Sequence, residues 1–558
     1  MIAMHVLSAA EMEACDRATT ERHGMASIEL MRAASAAVAA FAQEQFPRAR
    51  RVTVLCGAGN NGGDGMMTAR LLAKAGLDVT SLLLGAPEKL KGDAAVAWSE
   101  LTQPAHGSVY VVGSAEDLAA HSRALAADLI VDALLGAGFK PPMRGLALAA
   151  LEWIKQSSAP ILAVDLPSGW PADATTAAVS DAVFPADAVV TFTAPKPAHV
   201  FGMLARRWNQ PVVVAPIGSP DAAVISTLGI DWAGASLALA QAPRAATANK
   251  GNYGHVLVVG GTLGSAGGKA GAPAMAALAA LRAGAGLVTA AVPAPALPVV
   301  ASFAAELMTW PLAATAEGQI AAKNLEAREL AQLIAGKTVL AVGPGLGQGA
   351  ETVKFLAGLL SATRLPTVLD ADALNILAAK PVLLAKLAKG RTLVLTPHPG
   401  EMARLAGCTA AEVQANRLET ARNFARRMGV TLVLKGARTL VAHPCGRVAV
   451  NTSGNPGMAK GGSGDVLTGL IAGLMAQFPE DAARAVEAAV YLHGLAADLA
   501  VGAGDEHTFL ATDSLAFLAR AFGSGQHAIA AGGKSGYVWL QGTARDEPRT
   551  HAADGAPR

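Results

Sequence analysis

The sequence is poor in aromatic residues, in charged residues and in cysteine. Aromatic residues make up only 4% and charged residues 16% of the 558 residues, and the formal net charge is +2. So small a charge and so few aromatic rings exclude the basic, base-stacking surface that is typical of nucleic-acid-binding proteins. The 52% of hydrophobic residues, combined with this low charge, excludes an intrinsically disordered chain. We therefore expect a folded protein that does not bind nucleic acid.

The cysteine pattern and the lack of an uninterrupted apolar segment indicate the cellular compartment of the protein. Cys15, Cys56, Cys408 and Cys445 have no CxxC or zinc-finger spacing, so we expect neither a disulfide framework nor a zinc site. The first residues include several acidic side chains and no uninterrupted apolar stretch, which argues against a signal peptide. The uncharged run 283–305 holds glycines and prolines, and we predict a buried strand followed by a loop there. We expect a cytoplasmic protein with no membrane partner.

Short β-branched runs alternate with alanine-rich stretches along most of the chain, a pattern typical of α/β folds with parallel sheets. We predict domains at 1–220 and 245–525, a linker at 221–244 and a flexible tail at 526–558. A hairpin is expected around Thr439–Asn451. The predicted strands are Val52–Cys56, Val79–Leu84, Leu129–Leu134, Ile161–Asp165, Ala188–Thr193 and Pro211–Ala215 in the first half, and His255–Gly260, Leu287–Val292, Thr338–Val342, Thr367–Leu369, Thr392–Leu395 and Thr431–Leu434 in the second.

A glycine-rich motif, GAGNNGGDG, follows the first predicted strand at residues 57–65. Glycines at a strand–helix junction let the backbone approach a pyrophosphate, which the helix N-terminus also favours. The acidic ribose ligand expected about 20 residues later is missing, which disfavours an ordinary nicotinamide dehydrogenase. Asn60, Asn61 and Asp64 offer oxygen ligands for a hard cation or for hydroxyl groups, although a simple polar turn would also contain them.

Two further predicted strands end in polar loops. Asp132 leads into GAGFKPPMRG at residues 136–145, and Asp165 opens the motif DLPSG. Ligands of open α/β sheets bind outside the carboxyl ends of the strands, so we expect these loops to converge on one pocket. For either aspartate alone, a helix N-cap is an equally good interpretation.

Together with TFTAPKP (Thr191–Pro197), these motifs resemble the NAD(P)H-hydrate epimerase family over about residues 1–220. The resemblance implies a Rossmann-like domain that interconverts the R and S forms of hydrated NAD(P)H. It also implies that Asn61, Asp132 and Ser168 hold a potassium ion, and Asp165 is the best candidate acid/base. The residues that it implies as contacts of the hydrated cofactor are Asn60, Asn61, Gly62, Gly63, Asp64, Gly136, Ala137, Gly138, Phe139, Lys140, Pro141, Pro142 and Asp165.

The second half carries motifs that suit phosphate chemistry, in particular NPGMAKGGSGD at residues 455–465 before a predicted helix. Backbone amides of glycines at a helix N-terminus bind phosphate and stabilise developing negative charge. Asp465 lies in the first turn, where we expect the helix dipole to keep it ionised, ready to take a proton from a hydroxyl that attacks a phosphate. His398, held between two prolines in TPHPGE, is a further candidate, although a lone histidine is more often structural.

With GPGLG (343–347) and LDADALNIL (Leu369–Leu377), these segments resemble the ADP/ATP-dependent NAD(P)H-hydrate dehydratase family, which has a ribokinase-like fold, over about residues 245–525. Asn249 replaces a histidine and Ser463 a threonine of the usual family pattern. The resemblance implies contacts with the hydrated cofactor from Ala285, Gly345, Gly347, His398 and Asp465, and with the nucleotide, ADP or AMP, from Lys435, Gly436, Ala437, Arg438, Thr439 and Gly464.

The sequence thus predicts an N-terminal Rossmann-like three-layer domain followed by a C-terminal ribokinase-like α/β domain. The resemblance implies a bifunctional repair enzyme that epimerises hydrated NAD(P)H and dehydrates its S form at the expense of ADP, with ATP as the alternative donor, potassium and magnesium as ions and small-molecule nucleotides as partners. An apolar, charge-poor composition also favours a homo-oligomer. The alternatives are a kinase of a small hydroxylated metabolite and a scaffold, and the intact Asp165 argues against the scaffold.

Overall fold

The computed structural model describes residues 4–103, 107–179, 182–265, 267–529 and 536–542. The strands are β1 (Arg51–Cys56), β2 (Asp78–Leu84), β3 (Ser108–Val112), β4 (Leu129–Ala133), β5 (Ile161–Val164), β6 (Ala188–Phe192), β7 (Val212–Ala215), β8 (Ile230–Trp232), β9 (His255–Val259), β10 (Leu263–Gly264), β11 (Gly267–Gly268), β12 (Leu287–Pro293), β13 (Met308–Leu312), β14 (Val339–Val342), β15 (Thr367–Leu369), β16 (Leu393–Leu395), β17 (Thr431–Leu434), β18 (Leu440–Ala442), β19 (Val448–Val450) and β20 (Val538–Gln541).

The helices connect these strands and cover both faces of the sheets. They are α1 (Ala9–His23), α2 (Ser27–Gln45), α3 (Asn60–Lys74), α4 (Gly92–Leu101), α5 (Ala115–Ala120), α6 (Gly145–Ile154), α7 (Pro197–Phe201), α8 (Leu237–Ala240), α9 (Gly271–Arg282), α10 (Leu297–Ala301), α11 (Ala327–Ile334), α12 (Ala350–Ala362), α13 (Asp372–Ala378), α14 (Pro381–Ala388), α15 (Pro399–Ala406), α16 (Ala410–Ala415), α17 (Arg417–Met428), α18 (Ser463–Gln477), α19 (Ala482–Ala503) and α20 (Asp513–Ile529).

Two large sheets organise the chain, as the alternation of strands and helices predicts. The first has the order β20-β7-β6-β5-β4-β1-β2-β3, and its strands are parallel except for β20. The second has the order β13-β12-β9-β14-β15-β16-β17-β18-β19-β8, with β18 antiparallel to both of its neighbours. The predicted α/β fold class is confirmed, and the hairpin predicted around Thr439–Asn451 is the pair β18–β19.

The segment expected to be a linker contributes to the second sheet. Within 221–244, β8 pairs in parallel with β19, and His5 near the chain start bridges to Asp231 in β8. In the predicted tail, β20 pairs antiparallel with β7 of the first sheet, whereas 530–535 and 543–558 lie outside the described residues. Both strands are short edge strands whose partners are remote in sequence, which leaves little local pattern to reveal them.

Two local predictions differ from the structure, and two further strands of the large sheets were missed. Residues 60–64 form the first turn of α3 rather than a tight loop. The uncharged run 283–305 contains the predicted strand, β12, but continues into α10 instead of a loop. β3 and β13 were not predicted. Among the described residues, one helical stretch, Pro479–Ala503, is long and apolar enough to span a membrane, and 83% of its most apolar window is buried inside the protein.

The packing of α9 against α18 positions the glycine-rich loop of the second half. The two helices run in parallel, because a Cβ on Gly469 would lie 2.0 Å from the carbonyl oxygen of Ala276 and one on Gly473 would lie 2.6 Å from that of Ala280. Only glycine permits this close approach. The first turns of both helices therefore lie together at the carboxyl edge of the second sheet.

Candidate active sites

The carboxylate of Asp165 lies at the carboxyl edge of the first sheet, directly after β5. Its Oδ1 accepts hydrogen bonds from Lys196 Nζ at 2.6 Å and Thr191 Oγ1 at 2.8 Å. Its Oδ2 accepts one from the backbone N–H of Ala137 at 3.1 Å. The backbone of Asp165 has a positive φ of 65°, a strained conformation for a residue other than glycine. The conformation of the DLPSG turn thus places the Asp165 carboxylate against the 136–142 loop.

Asp165 forms a buried ion pair with Lys196. Burial acts to raise the pKa of Asp165, but the Lys196 ammonium and the hydrogen bonds from Lys196 and Thr191 outweigh it and hold that pKa below its usual value. His199 accepts a hydrogen bond from the Lys196 backbone N–H at Nδ1, so its Nε2–H donates to the Asp165 carbonyl oxygen at 2.7 Å. Burial and the Lys196 charge lower the pKa of His199 to about 4. This part of the site therefore holds a carboxylate, an ammonium and a neutral imidazole.

The residues implied as potassium ligands all contact the segment that begins with β4: Asp132 belongs to it, Ser168 contacts Asp132 and Leu135, and Asn61 lies against Gly136. Asp132 accepts hydrogen bonds from Ser168 Oγ at 2.6 Å and from the Ser168 backbone N–H at 2.8 Å. Both polar atoms of the Asn61 side chain are buried and have no hydrogen-bond partner among the described residues. Asn61 lies against Gly136, where a Cβ would be 3.0 Å from the asparagine side chain. An unpartnered buried amide oxygen, a carboxylate and a hydroxyl around one loop offer the oxygen ligands that a hard cation prefers.

The structure brings the two implied cofactor-binding segments to the same edge. Gly62 and Gly63 are buried in the first turn of α3, while Asn60 is exposed. Burial, Asp165 and Asp16 raise the pKa of Asp64 well above its usual value. In the facing loop Gly136, Ala137 and Phe139 are half-buried, and the exposed members are Gly138, Lys140, Pro141 and Pro142.

Sequence reasoning missed two charged residues of this site. Lys196 lies inside TFTAPKP, and a lysine between two prolines was a usable signal. Asp16 of α1 has a buried oxygen with no partner in the described part of the chain, and burial raises its pKa to about 6, with Asp165 adding to the effect. Nothing in the local sequence connects Asp16 to a motif more than forty residues away.

In the second half, Asp370 and Lys435 form the buried centre of the site. Asp370 Oδ1 accepts hydrogen bonds from Lys435 Nζ at 2.9 Å and Thr396 Oγ1 at 2.8 Å. Its Oδ2 accepts one from Thr468 Oγ1 at 3.0 Å. Burial acts to lower the pKa of Lys435, but Asp370 and Glu401 outweigh it and raise that pKa. Asp370 lies in LDADALNIL, yet the sequence did not single it out, because its role depends on this lysine from another strand end.

Asp465 lies in the first turn of α18, as predicted, but its pKa is raised, whereas a helix N-terminus alone would lower it. Burial and the neighbouring Asp370 carboxylate raise the pKa of Asp465 to about 6, and Lys435 and Lys269 moderate the effect. The carboxylate is nonetheless mostly ionised at neutral pH, and it has the basicity that general-base catalysis favours.

Three of the other residues implied as contacts of the hydrated cofactor lie at the same edge of the sheet as Asp465. Gly345 lies against Lys269 and Ala272 at the start of α9, and Gly347 donates its N–H to Asp372 Oδ2 at 3.0 Å. His398 caps α15 and accepts a hydrogen bond from the Gly400 N–H at 3.0 Å. These residues come from loops at the same carboxyl edge as Asp465.

The structure contradicts the expectation that Ala285 contacts the hydrated cofactor. It precedes β12, and the neighbouring Gly284 lies against Gln477 at the far end of α18 from Asp465. Because α9 and α18 run in parallel, Ala285 lies at the opposite edge of the sheet from the site. The segment of this region that reaches the site is 269–272, which sequence reasoning passed over.

The implied nucleotide-binding residues line a cavity of about 1400 Å³. Lys435, Gly436, Ala437, Arg438, Thr439 and Gly464 all belong to its lining, together with His398. A Cβ on Gly464 would lie 3.3 Å from Lys435 Nζ, so the glycine loop directly adjoins the Lys435–Asp370 pair. This volume is large enough for a nucleotide.

Arg438 is buried and already occupied by protein partners. Its Nη1 donates to the Thr452 carbonyl oxygen at 2.9 Å, and its Nη2 donates to the Gly202 carbonyl oxygen at 2.7 Å and Gln541 Oε1 at 2.6 Å. Burial lowers the pKa of Arg438 to about 10. The guanidinium therefore supports the wall of the cavity and is not free to bind a ligand. The loop that contains Arg438 faces the cavity mainly with backbone atoms.

Comparisons with known proteins match both halves. The family model described as NAD(P)H-hydrate dehydratase matches residues 256–516, and the one described as YjeF-related protein N-terminus matches residues 27–198. The chain is 41% identical over 525 residues to the bifunctional NAD(P)H-hydrate repair enzyme of Moorella thermoacetica, covering 92% of this chain and 96% of that protein.

Two further similar proteins are a second bifunctional relative and a solved structure. The bifunctional NAD(P)H-hydrate repair enzyme of Escherichia coli is 36% identical over 511 residues, covering 90% of this chain and 91% of its own. The crystal structure of the ADP/ATP-dependent NAD(P)H-hydrate dehydratase from Bacillus subtilis, co-crystallised with ATP/Mg2+, is 32% identical and covers 51% of this chain and 96% of its own, with a TM-score of 0.43. The relatives that span both halves confirm the resemblance in the motifs: the chain belongs to the family of bifunctional NAD(P)H-hydrate repair enzymes.

Proposed function

We propose that the protein repairs hydrated NAD(P)H at two sites. The N-terminal half interconverts the R and S forms, and the C-terminal half dehydrates the S form at the expense of ADP, giving NAD(P)H, AMP and phosphate. The observation that carries the proposal is the placement of Asp465, in the first turn of α18, beside the Lys435–Asp370 pair and the glycine loop that borders the cavity.

At the first site, the hydrated carbon bears both a hydroxyl group and the ring nitrogen. As the hydroxyl loses its proton, a carbon–oxygen double bond forms, the carbon–nitrogen bond breaks and its electron pair stays on the nitrogen. The nitrogen then attacks the other face of the aldehyde, and the oxygen regains the proton with the carbon inverted. Among the described residues, Asp165 Oδ2 accepts a hydrogen bond from the Ala137 N–H alone, which leaves it room to take this proton and return it. Lys196 keeps the carboxylate ionised between turnovers. Asp165 and Lys196 thus act as one acid/base unit.

The potassium ion fits the residues at this site. Asn61 supplies a buried amide oxygen without a partner, and Asp132 and Ser168 supply oxygens beside it. When bound, the ion would supply positive charge for phosphate or hydroxyl oxygens of the substrate. Burial raises the pKa of Asp132 to about 6, and a cation would oppose this effect.

At the second site, hydroxide is a poor leaving group, and phosphorylation converts it into a good one. The oxygen of the substrate hydroxyl attacks the terminal phosphorus of ADP while Asp465 takes the hydroxyl proton, and AMP leaves. The amides of the glycine loop and Lys435 stabilise the charge that develops on the phosphoryl oxygens. The ring nitrogen then expels phosphate, and loss of a neighbouring proton restores the dihydropyridine.

Magnesium accompanies the nucleotide in this proposal, as phosphoryl transfer requires. The described residues hold no group of three or more His, Cys, Asp or Glu side chains arranged for a metal ion. In such sites Mg²⁺ is held by the phosphates with one or two carboxylates, and Asp370 and Asp465 are the carboxylates that adjoin the glycine loop. ATP is the alternative donor, and its γ-phosphoryl group would occupy the same position.

The test uses chemically hydrated NADH with ADP, and separately with ATP, and follows the return of the dihydropyridine absorbance. We expect complete recovery of both epimers by the wild type. Asp465→Asn should reduce dehydration by about 10²- to 10⁴-fold, and Asp165→Ala should leave only the S form consumed. A phosphorylated product that accumulates without any absorbance would instead support a kinase of a hydroxylated metabolite.

A further inference from the structure

The cavity that receives the nucleotide has a wall that belongs to the N-terminal half. Residues 203 and 205–209, which we name the 203–209 wall, follow α7 and precede β7 of the first sheet. They line the same cavity as Lys435–Thr439 and Gly464 of the second half. None of the motifs that suggested a nucleotide site includes them. The cavity is therefore built by both halves of the chain.

Direct contacts hold this wall against the second half. Trp208 Nε1 donates a hydrogen bond to Glu506 Oε1 at 2.5 Å, and its ring packs against the apolar cluster that includes Val501 and Phe509. Arg438 Nη2 donates to the Gly202 carbonyl oxygen at 2.7 Å, immediately before the wall. The wall is thus tied both to the end of α19 and to the nucleotide-binding loop itself.

Gln541 of β20 also links the 203–209 wall to Arg438 by hydrogen bonds. Its Oε1 accepts a hydrogen bond from Arg438 at 2.6 Å. Its Nε2 donates to the carbonyl oxygens of Arg207 at 3.3 Å and Gln210 at 3.1 Å. Gln541 is buried, so these bonds are shielded from water. The backbone of the wall is consequently fixed, and its side chains project from a rigid base.

Arg207 is the charged side chain that this arrangement leaves without a partner. Its neighbour Arg206 forms an ion pair with Asp187 at 3.3 Å. The Arg207 guanidinium, by contrast, forms no ion pair and donates no hydrogen bond to any residue that the structure describes, although it borders the cavity. A guanidinium presents several donors in a planar fork that matches phosphate oxygens. A nucleoside diphosphate supplies such oxygens.

We propose that Arg207 of the N-terminal half binds the phosphate groups of the nucleotide used by the C-terminal half. The nucleotide site is then composite, with the glycine loop and Lys435 on one side and Arg207 on the other. The inference rests on the proposed function, since it requires that this cavity receive ADP or ATP. In this proposal the N-terminal half not only supplies the correct epimer but also contributes a residue to the nucleotide site of the C-terminal half.

The test measures ADP and ATP binding by calorimetry on the whole 558-residue chain. Arg207→Ala should weaken ADP binding by about tenfold, the usual loss for a charge-assisted hydrogen bond. Arg207→Gln, which keeps a polar side chain without charge, should show the same loss. Arg123→Ala is the matched control, because Arg123 is an exposed arginine of the same half outside the cavity lining. It should bind ADP like the wild type.

Kinetics separate a binding role from a structural one. In Arg207→Ala, the KM for ADP should rise while kcat and the KM for hydrated NADH stay unchanged, which general damage to the fold would not produce. If both Arg207 variants bind ADP within about twofold of the wild type, the inference is wrong and the proposed function stands. If the wild type binds neither ADP nor ATP, the proposed function itself is wrong.

Discussion

Replacing Lys196 by methionine tests the buried ion pair at the first site. The side chains of Lys196 and Asp165 are only 3% and 11% exposed, and their charged atoms are 2.6 Å apart. The variant leaves the Asp165 carboxylate buried without its ammonium partner. Breaking a buried pair in this way costs about 3–5 kcal/mol. We therefore expect the free energy of unfolding at neutral pH to fall by that amount.

The loss should depend on pH in a defined direction. In the wild type, Lys196 holds the pKa of Asp165 below its usual value, so the stabilisation is complete above the unfolded carboxyl pKa of about 3.9 and is lost only in stronger acid. In the variant, burial alone raises the pKa of Asp165, and the folded state then binds a proton that the unfolded state has released. Its stability should thus increase as the pH falls from about 7.5 to 5, by at most about 1.4 kcal/mol per pH unit for one carboxyl.

Urea denaturation at the two pH values measures this dependence. The wild type is the reference for each pH, so that other titrating groups are subtracted. A second variant, Lys196→Met combined with Asp165→Asn, removes both charges and should recover a large part of the loss at neutral pH. An equal deficit at both pH values, or a double variant no more stable than the single one, would refute the reasoning.

Three further outcomes follow from the structure. Because the pKa of Asp465 is about 6, kcat for dehydration should fall as the pH drops below that value, and a flat pH profile would contradict its role as a base. Asn61→Leu should abolish potassium stimulation of epimerisation but leave dehydration of the S form intact, as compared by assays with and without the ion. Gly62→Ala places a Cβ 1.8 Å from the Gly57 carbonyl oxygen and should lower the unfolding free energy by about 1–3 kcal/mol, whereas Gly59→Ala, with nothing within 4 Å, should not.

Local sequence patterns were sufficient to predict the elements that present the site. β1, β4 and β5 were predicted because each is a short β-branched run followed by a polar or glycine-rich turn. The convergence of Asp132 and Asp165 followed from the rule that parallel strands share a carboxyl edge. The glycine loop before α18 was recognisable because glycines and a helix start stand next to each other in the chain.

Other features required the folded chain. β8 and β20 are short edge strands, and their partners lie far away in sequence. The expectation for Ala285 was wrong, because the sequence does not show at which end of the parallel α9–α18 pair it would lie. The raised pKa of Asp465 comes from burial beside Asp370, not from its own helix.

The amino-acid order alone thus determined the fold class, the two motif sets and the family. Those depend on backbone preferences and spacing between near neighbours. Only the tertiary structure decided that Lys196 pairs with Asp165, that Lys435 pairs with Asp370, and that residues of both halves line one large cavity. The reason is physical: ion pairs, desolvation and cavities arise where segments distant along the chain meet, and no local pattern records which segments those are.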